Sequence, residues 1–241
     1  MITRVPAAMM PWSLIINGRR SIESLARVLL EAALSSDCPV CVEPMGRHMG
    51  GVCLSCWDEV TASDNAIQRR PDRYIESLTT IGPYEGRLRA IIRCLKFSDL
   101  PGLGEFLAER IAGRLPIDAK QADIIVPVPL HGWRRWRRGY NQAERIAVTL
   151  RPSLGIPVAP GLLVRSRATA AQSGRSRPER LANVRGAFRA SAGLRGLRVL
   201  LVDDVVTTGA TLRECARTLK AAGVRSVHAA AAARTLSRLN S

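Results

Sequence analysis

A chain of 241 residues, 46% of them apolar, with a mean hydropathy of +0.02, has the means to bury a core, which excludes a disordered polyelectrolyte. No uninterrupted apolar stretch approaches the roughly 18 residues of a membrane span, and the run from Val5 to Ile16 is broken by Pro6, Pro11 and Ser13. The 36 basic residues outnumber the 20 acidic ones to give a net charge of +16, which points to an anionic partner.

In chain order, Ser21–Ser35 (SIESLARVLLEAALS) repeats apolar positions at helical spacing, with Ser21 as N-cap and Glu23 in the first turn. Two Cys-x-x-Cys pairs follow, Cys38/Cys41 and Cys53/Cys56, with eleven residues between them. Four thiolates at this spacing close tetrahedrally on Zn²⁺, and with no position left open the site is structural. The alternatives are two disulfides in a secreted chain, or a relic that has lost its metal. Pro39, Gly46, Gly50 and Gly51 suit the tight turns of such knuckles. Cys94 and Cys215 stand alone on predicted helices as buried thiols, and His48, His131 and His228 read as structural.

Beyond the cysteines, RYIESLTTIGPYEG reads as a strand and turn, and GRLRAIIRCLKF and LGEFLAERIAGRL read as two helices separated by SDLPG. From about Ala122 short apolar runs alternate with helices. The order is ADIIVPVPL, a helix around NQAERIAVTL, PVAPGLLV, a polar basic stretch, RVLLVDD, a helix over ATLRECARTLKAAG, and VRSVHAAAAA. That alternation predicts an α/β fold, a parallel sheet with helices on both faces. The chain divides into an N-terminal helix with the cysteine module (1–75) and a larger domain (76–241), the latter with a helical part (76–120) ahead of its core (121–241).

Between His131 and Arg198 there are fifteen Arg, no Lys and two acids, so thirteen of the sixteen net positive charges fall in this block. Arginine supplies 33 of the 36 basic residues, a coding bias that explains the type but not the clustering. Within GWRRWRRGY, Trp133, Trp136 and Tyr140 are three and four apart. On a helix they share a face beside Arg134, Arg135, Arg137 and Arg138, a pattern suited to stacking on single-stranded bases. In the plainer reading the rings pack inward and the arginines are solvated.

The stretch RVLLVDDVVTTGATL carries the chemistry. VLLV reads as a central parallel strand with Asp203 and Asp204 at its carboxyl end, where open α/β sheets form their ligand crevice. Thr207, Thr208, Gly209, Ala210 and Thr211 then lead into a helix whose first N–H groups suit a phosphate. Adjacent carboxylates do not accept phosphate but do accept hydroxyl donors, so a ribose 5-phosphate satisfies both demands. The plain alternative is a capped strand–helix turn with solvated acids. No G-x-x-x-x-G-K-[ST] loop is present, and Leu107 stands where a dinucleotide loop needs its third glycine.

That stretch resembles the type I phosphoribosyltransferase signature. The resemblance implies that Asp203 and Asp204 hold the ribose hydroxyls of 5-phosphoribosyl-1-diphosphate and that Thr207–Thr211 hold its 5-phosphate, with Mg²⁺ on the ribose and diphosphate oxygens. Three segments together, VPVPLHGWRRWRRGYNQAERIA, RSRATAAQSGRSRPERLANVRGAF and the four-cysteine module, resemble the ComF family of competence-associated, phosphoribosyltransferase-like proteins. The match runs over most of residues 36–236. By that resemblance Val126, Pro127, Val128 and Pro129 form the diphosphate loop, Arg165–Arg180 is the closing loop, and 76–120 is the hood. Arg175 departs from the pattern, which has an apolar residue there.

A phosphoribosyl diphosphate carries about five negative charges and with Mg²⁺ needs few cationic contacts, so the basic block exceeds its needs. The reading is therefore a cytoplasmic, zinc-containing ComF-type protein that binds 5-phosphoribosyl-1-diphosphate or a related ribose phosphate, and single-stranded DNA. Its role would be in DNA uptake for natural transformation, with a protein of the uptake machinery as a further partner. The rival is an active phosphoribosyltransferase of nucleotide or amine metabolism. No acceptor pocket and no catalytic residue is legible in the sequence.

Overall fold

A computed structural model describes residues 37–62, 72–97, 102–130, 140–167 and 177–235. The expected helix at Ser21–Ser35, the Trp133–Arg138 part of the aromatic–arginine stretch and positions 168–176 of the closing loop lie outside the described residues.

The cysteine module comprises a two-stranded antiparallel ribbon, β1 (His48–Met49) and β2 (Val52–Cys53), followed by α1 (Leu54–Ala62). The ribbon's two-residue turn is Gly50–Gly51, at φ 59° and 78°, the doubly left-handed geometry that glycine adopts most easily. Next come β3 (Ser77–Pro83), α2 (Gly86–Phe97), α3 (Leu103–Arg114), the short α4 (Ile117–Lys120), β4 (Ile124–Pro127) and α5 (Gln142–Leu154). The remainder is β5 (Leu163–Arg165), α6 (Arg177–Val184), β6 (Phe188–Ala190), β7 (Arg198–Val206), α7 (Ala210–Ala221) and β8 (Ser226–Arg234).

The expected parallel sheet forms with strand order β3-β8-β7-β4. Residues of the 76–120 segment supply its edge strand β3 as well as α2 and α3. Side chains alternate across the two central strands, as the pleat requires. Leu200, Val202, Ala230 and Ala232 face α2, α3 and α5, whereas Val199, Leu201, Ala229 and Ala231 face α7 and the β5–β6 pair. Five alanines in succession, Ala229–Ala233, run through β8 with no exposure. At the amino ends of β4 and β7, Asp123 accepts the Arg198 backbone N–H at 2.7 Å and its guanidinium at 2.8 Å, which pins the register of the pair. The Arg198 side chain holds the Asp123 carboxyl below the usual range.

One predicted strand resolves differently. In PVAPGLLV, only Val158 bridges to β4, through Ile125; a 3₁₀ turn at Pro160–Leu162 follows, and β5 then pairs antiparallel with β6 outside the main sheet. Pro157 and Pro160 lack the N–H that a continuous ladder needs, so the run breaks between them. Cys215 is fully buried as expected, whereas Cys94 is only half-buried, its thiol directed to the Pro39 carbonyl at 3.9 Å. His228 is buried and pairs through Nδ1 with the Ser77 hydroxyl at 2.9 Å, a structural role, and burial lowers its pKa. His48 is exposed.

Candidate functional site

The four-cysteine cluster is built by two turns. In the first, the Val42 N–H donates to the Cys38 carbonyl at 2.8 Å with Val42 at φ 65°, which folds the chain back so that Cys38 and Cys41 face the same point. In the second, the glycine turn returns β2, and Cys53 and Cys56 enter on its end and on the first turn of α1. The four Sγ atoms lie within 4.8 Å of one another, and all four thiols are free of disulfides. A tetrahedral ion at about 2.3 Å from each sulfur needs sulfur separations near 3.8 Å, and Cys41 and Cys53 stand at 3.6 Å. The cluster could hold a metal such as zinc.

The sulfurs are electrostatically unequal. The Ser55 hydroxyl, 3.1 Å away, lowers the Cys53 thiol to about 6, whereas burial, with Cys53 and Cys41 nearby, raises that of Cys56. Behind the cluster Trp57 is 1% exposed, donates its indole N–H to the Met49 carbonyl at 2.9 Å and stacks on Phe106 of α3 with ring centroids 4.0 Å apart. A Cβ on Gly50 would fall 2.9 Å from the Gly102 carbonyl and Leu103 Cα, so the ribbon turn sits directly on the start of α3. Module, α2, α3 and α5 therefore share one hydrophobic cluster.

The second site lies at the carboxyl end of the sheet. β7 continues past the aspartates to Val206, because β8 extends alongside it and pairs Asp203 with Ala231 and Val205 with Ala233. The connection to α7 shrinks accordingly to Thr207, Thr208 and Gly209, and Ala210 and Thr211 belong to the helix's first turn. The Asp204 N–H donates to Asp203 Oδ1 at 2.8 Å and the Val205 N–H to Asp204 Oδ1 at 2.6 Å, so the backbone orients both carboxylates. Gly209 at φ 75° is the N-cap and offers no side chain, while the Thr208 hydroxyl reaches the Ala210 N–H at a long 3.4 Å. An anion entering there meets the positive end of a twelve-residue helix. Asp203, Thr207, Gly209, Ala210 and Thr211 border one small concavity of about 20 Å³, room for a single water-sized group.

Across the sheet, β4 ends in the proposed diphosphate loop. The Val128 N–H donates to the Val202 carbonyl at 2.8 Å, fastening the loop to the strand that carries the aspartates. Asn141, which sequence reasoning missed, is the second fastener. Its Nδ2 donates to the Val128 carbonyl at 3.0 Å while its Oδ1 caps α5 through the Ala143 N–H at 3.1 Å. An Asn just ahead of a helical run was a signal for the cap but not for the clamp. Tyr140, grouped by sequence with the nucleic-acid contacts, donates its hydroxyl to the Leu95 carbonyl of α2 at 2.9 Å and has Arg145 over its ring at 5.6 Å. The structure thus brings Asp203, Asp204 and Thr207–Thr211 together and ties Val126–Pro129 to the neighbouring strand end; the cysteine site is separate.

A phosphoribosyl transferase domain model matches residues 107–240. Over 240 residues the chain is 31% identical to the DNA utilization protein YhgH of Salmonella typhi, covering 98% of this chain and 96% of that one. It is 34% identical to competence protein F of Haemophilus influenzae over 68% of this chain and 74% of that one. Among solved structures, glutamine phosphoribosylpyrophosphate amidotransferase from B. subtilis, complexed with ADP and GMP, aligns at 23% identity and TM-score 0.41 over 58% of this chain and only 30% of its own. No helix among the described residues is long and apolar enough to cross a membrane.

Proposed function

The chain belongs to the ComF family of phosphoribosyltransferase-like proteins, and from that premise we propose that it binds 5-phosphoribosyl-1-diphosphate, or a related ribose phosphate, at the carboxyl end of its sheet. The observation that carries this reading is the pairing of two backbone-oriented carboxylates, Asp203 and Asp204, with the glycine-started amino end of α7. The carboxylates accept the ribose hydroxyls, and the first turn of α7 with Thr207, Thr208 and Thr211 receives the 5-phosphate. The loop Val126–Pro129, held by Asn141 and Val202, borders the diphosphate. Mg²⁺ arriving with the ligand offsets the charge of the diphosphate oxygens. Zinc on Cys38, Cys41, Cys53 and Cys56 is structural and fixes the module against α3.

The wider role proposed is binding of single-stranded DNA in support of DNA uptake, together with a protein of the uptake machinery. It is supported by the arginine block between His131 and Arg198 and by relatives named for DNA utilization and competence. Calorimetry with phosphoribosyl diphosphate and Mg²⁺ tests the core of the proposal. The double change Asp203→Asn, Asp204→Asn keeps the side-chain size and should weaken binding about tenfold or more, since hydrogen bonds to a charged acceptor contribute roughly 1.5–3 kcal/mol each. An unchanged Kd would reduce the motif to scaffolding. For DNA, several phosphate contacts give a log–log salt slope steeper than about −2; millimolar binding with no salt dependence ends the DNA reading. Release of diphosphate in the presence of a base or amine would assign catalysis in addition to binding.

A further inference from the structure

A larger cleft, of about 370 Å³, runs along the side of α7 and meets the aspartate concavity at Ala210. Its volume lies at the lower end of the roughly 300–1,000 Å³ of small-molecule sites. Tyr74 from the segment before β3, Arg185 after α6, and Arg213, Glu214 and Arg217 of α7 line it. Of the four charged groups, two are committed to each other. Glu214 accepts Arg217 twice, at 2.7 and 2.9 Å, and also the Gly186 N–H at 2.7 Å.

The other two are differently situated. Arg213 reaches Asp72 at 3.7 Å with 43% of its side chain exposed, and it lies over the Tyr74 ring at 6.0 Å. At this length, and solvated on its arginine side, the pair is weaker than a close bidentate one and leaves Arg213 donors for a better acceptor. Arg185 is exposed at the rim of the same cleft. The cleft therefore offers two guanidiniums for a phosphate, which arginine holds with a planar fork of donors. Beside them stands the half-buried ring of Tyr74, with Arg73 over it at 4.9 Å and Arg213 at 6.0 Å. Flat heterocycles stack on such surfaces.

We propose that this cleft binds one nucleotide unit, its phosphate on Arg185 and Arg213 and its base against Tyr74 and Arg213, adjoining the sugar phosphate held at Thr207–Thr211. The inference rests on the proposed sugar-phosphate site and gives that site a neighbour. The unit comes either from a free mononucleotide or from the 5′ end of a single strand; the chemistry recognised is the same.

The test is calorimetry on the full chain with adenosine 5′-monophosphate, the protein already saturated with phosphoribosyl diphosphate and Mg²⁺. The mononucleotide should bind to that complex, and Arg185→Glu and Arg213→Gln should each weaken it about tenfold. Both changes should leave the phosphoribosyl diphosphate Kd within about twofold. The Asp203→Asn, Asp204→Asn variant should show the reverse pattern, losing phosphoribosyl diphosphate and keeping the mononucleotide, so failure of one site is distinguishable from failure of the other. A 5′-phosphorylated trinucleotide that binds tighter than the mononucleotide and is weakened by the same two changes supports the proposal with a strand end as the source. Equal affinity supports it with a free nucleotide. No mononucleotide binding at millimolar concentration, competition between the two ligands, or equal loss of both in the arginine variants would overturn it.

Discussion

Withdrawing the zinc proposed for the cysteine cluster is the sharpest test of how this chain is held together. Zinc on four thiolates couples about 10–16 kcal/mol of binding to folding. The module built around the four cysteines seats Val52, Trp57 and Val60 in the cluster shared with α2 and α3. Burying three such side chains contributes about 5–9 kcal/mol, a large share of the roughly 5–15 kcal/mol that a domain commands in total. Trp57 is the key link, because its ring lies 4.0 Å from Phe106 and fills the space above α3. Cys53→Ser removes one thiolate and should therefore loosen α3 as well as the module. For a protein of this size the melting temperature should fall by about 10 °C or more, and limited proteolysis should reach the α1 region first. Elemental analysis should give one zinc per chain in the parent protein and a substoichiometric amount in the variant. A zinc-free protein with its thiols in disulfides, or a Cys53→Ser chain that melts with the parent, refutes the argument.

Two further outcomes follow from single side chains. Asn141→Ala removes the α5 cap, about 0.5–2 kcal/mol, and strands the Val128 carbonyl, about 1–3 kcal/mol, whereas Asn141→Asp keeps the cap and loses only the donor; urea unfolding that ranks Asp level with Asn eliminates the clamp. Glu214 is pushed up by burial but more strongly held down by Arg217 and the Gly186 N–H, so its folded pKa is below normal. Its contribution is complete above the unfolded value of about 4.3 and is lost as the pH falls through the lower folded value. Thermal melts from pH 6 to pH 3 should accordingly show the gap between the parent protein and Glu214→Gln closing below about pH 4, and parallel curves contradict it.

Much of the site was legible because its signals are local. The two Cys-x-x-Cys pairs form their cluster, and the apolar run ending in Asp203 and Asp204 is a central strand leading to a glycine-started helix. What remained hidden depends on residues far apart in the chain. Apolar spacing in PVAPGLLV cannot reveal that Leu163–Arg165 pairs with Phe188–Ala190, more than twenty residues on. Tyr140 reads as one of three aromatics in a basic stretch, yet its hydroxyl partner Leu95 lies 45 positions earlier. The cleft along α7 draws on Tyr74, Arg185 and Arg213, three segments that no sequence window contains together. Asn141 escaped the sequence reading, and the carbonyl it clamps is thirteen residues upstream.

The alanine run of β8 acts as a spacer between layers. With nothing larger than a methyl group at Ala229 and Ala231 on one face and at Ala230 and Ala232 on the other, helices on both sides settle close to the strand. α7 is one of them, and its amino end is the part proposed to meet a phosphate. How near that end comes to Asp203, the cross-strand neighbour of Ala231, is thus governed by a strand that contributes no ligand atoms. Adding two methyl groups at Ala231 would carry an overpacking cost of about 1–3 kcal/mol, and would also lift the helix and widen the span between carboxylates and phosphate cradle. The reach available to the proposed sugar phosphate is gauged by side chains that would never touch it.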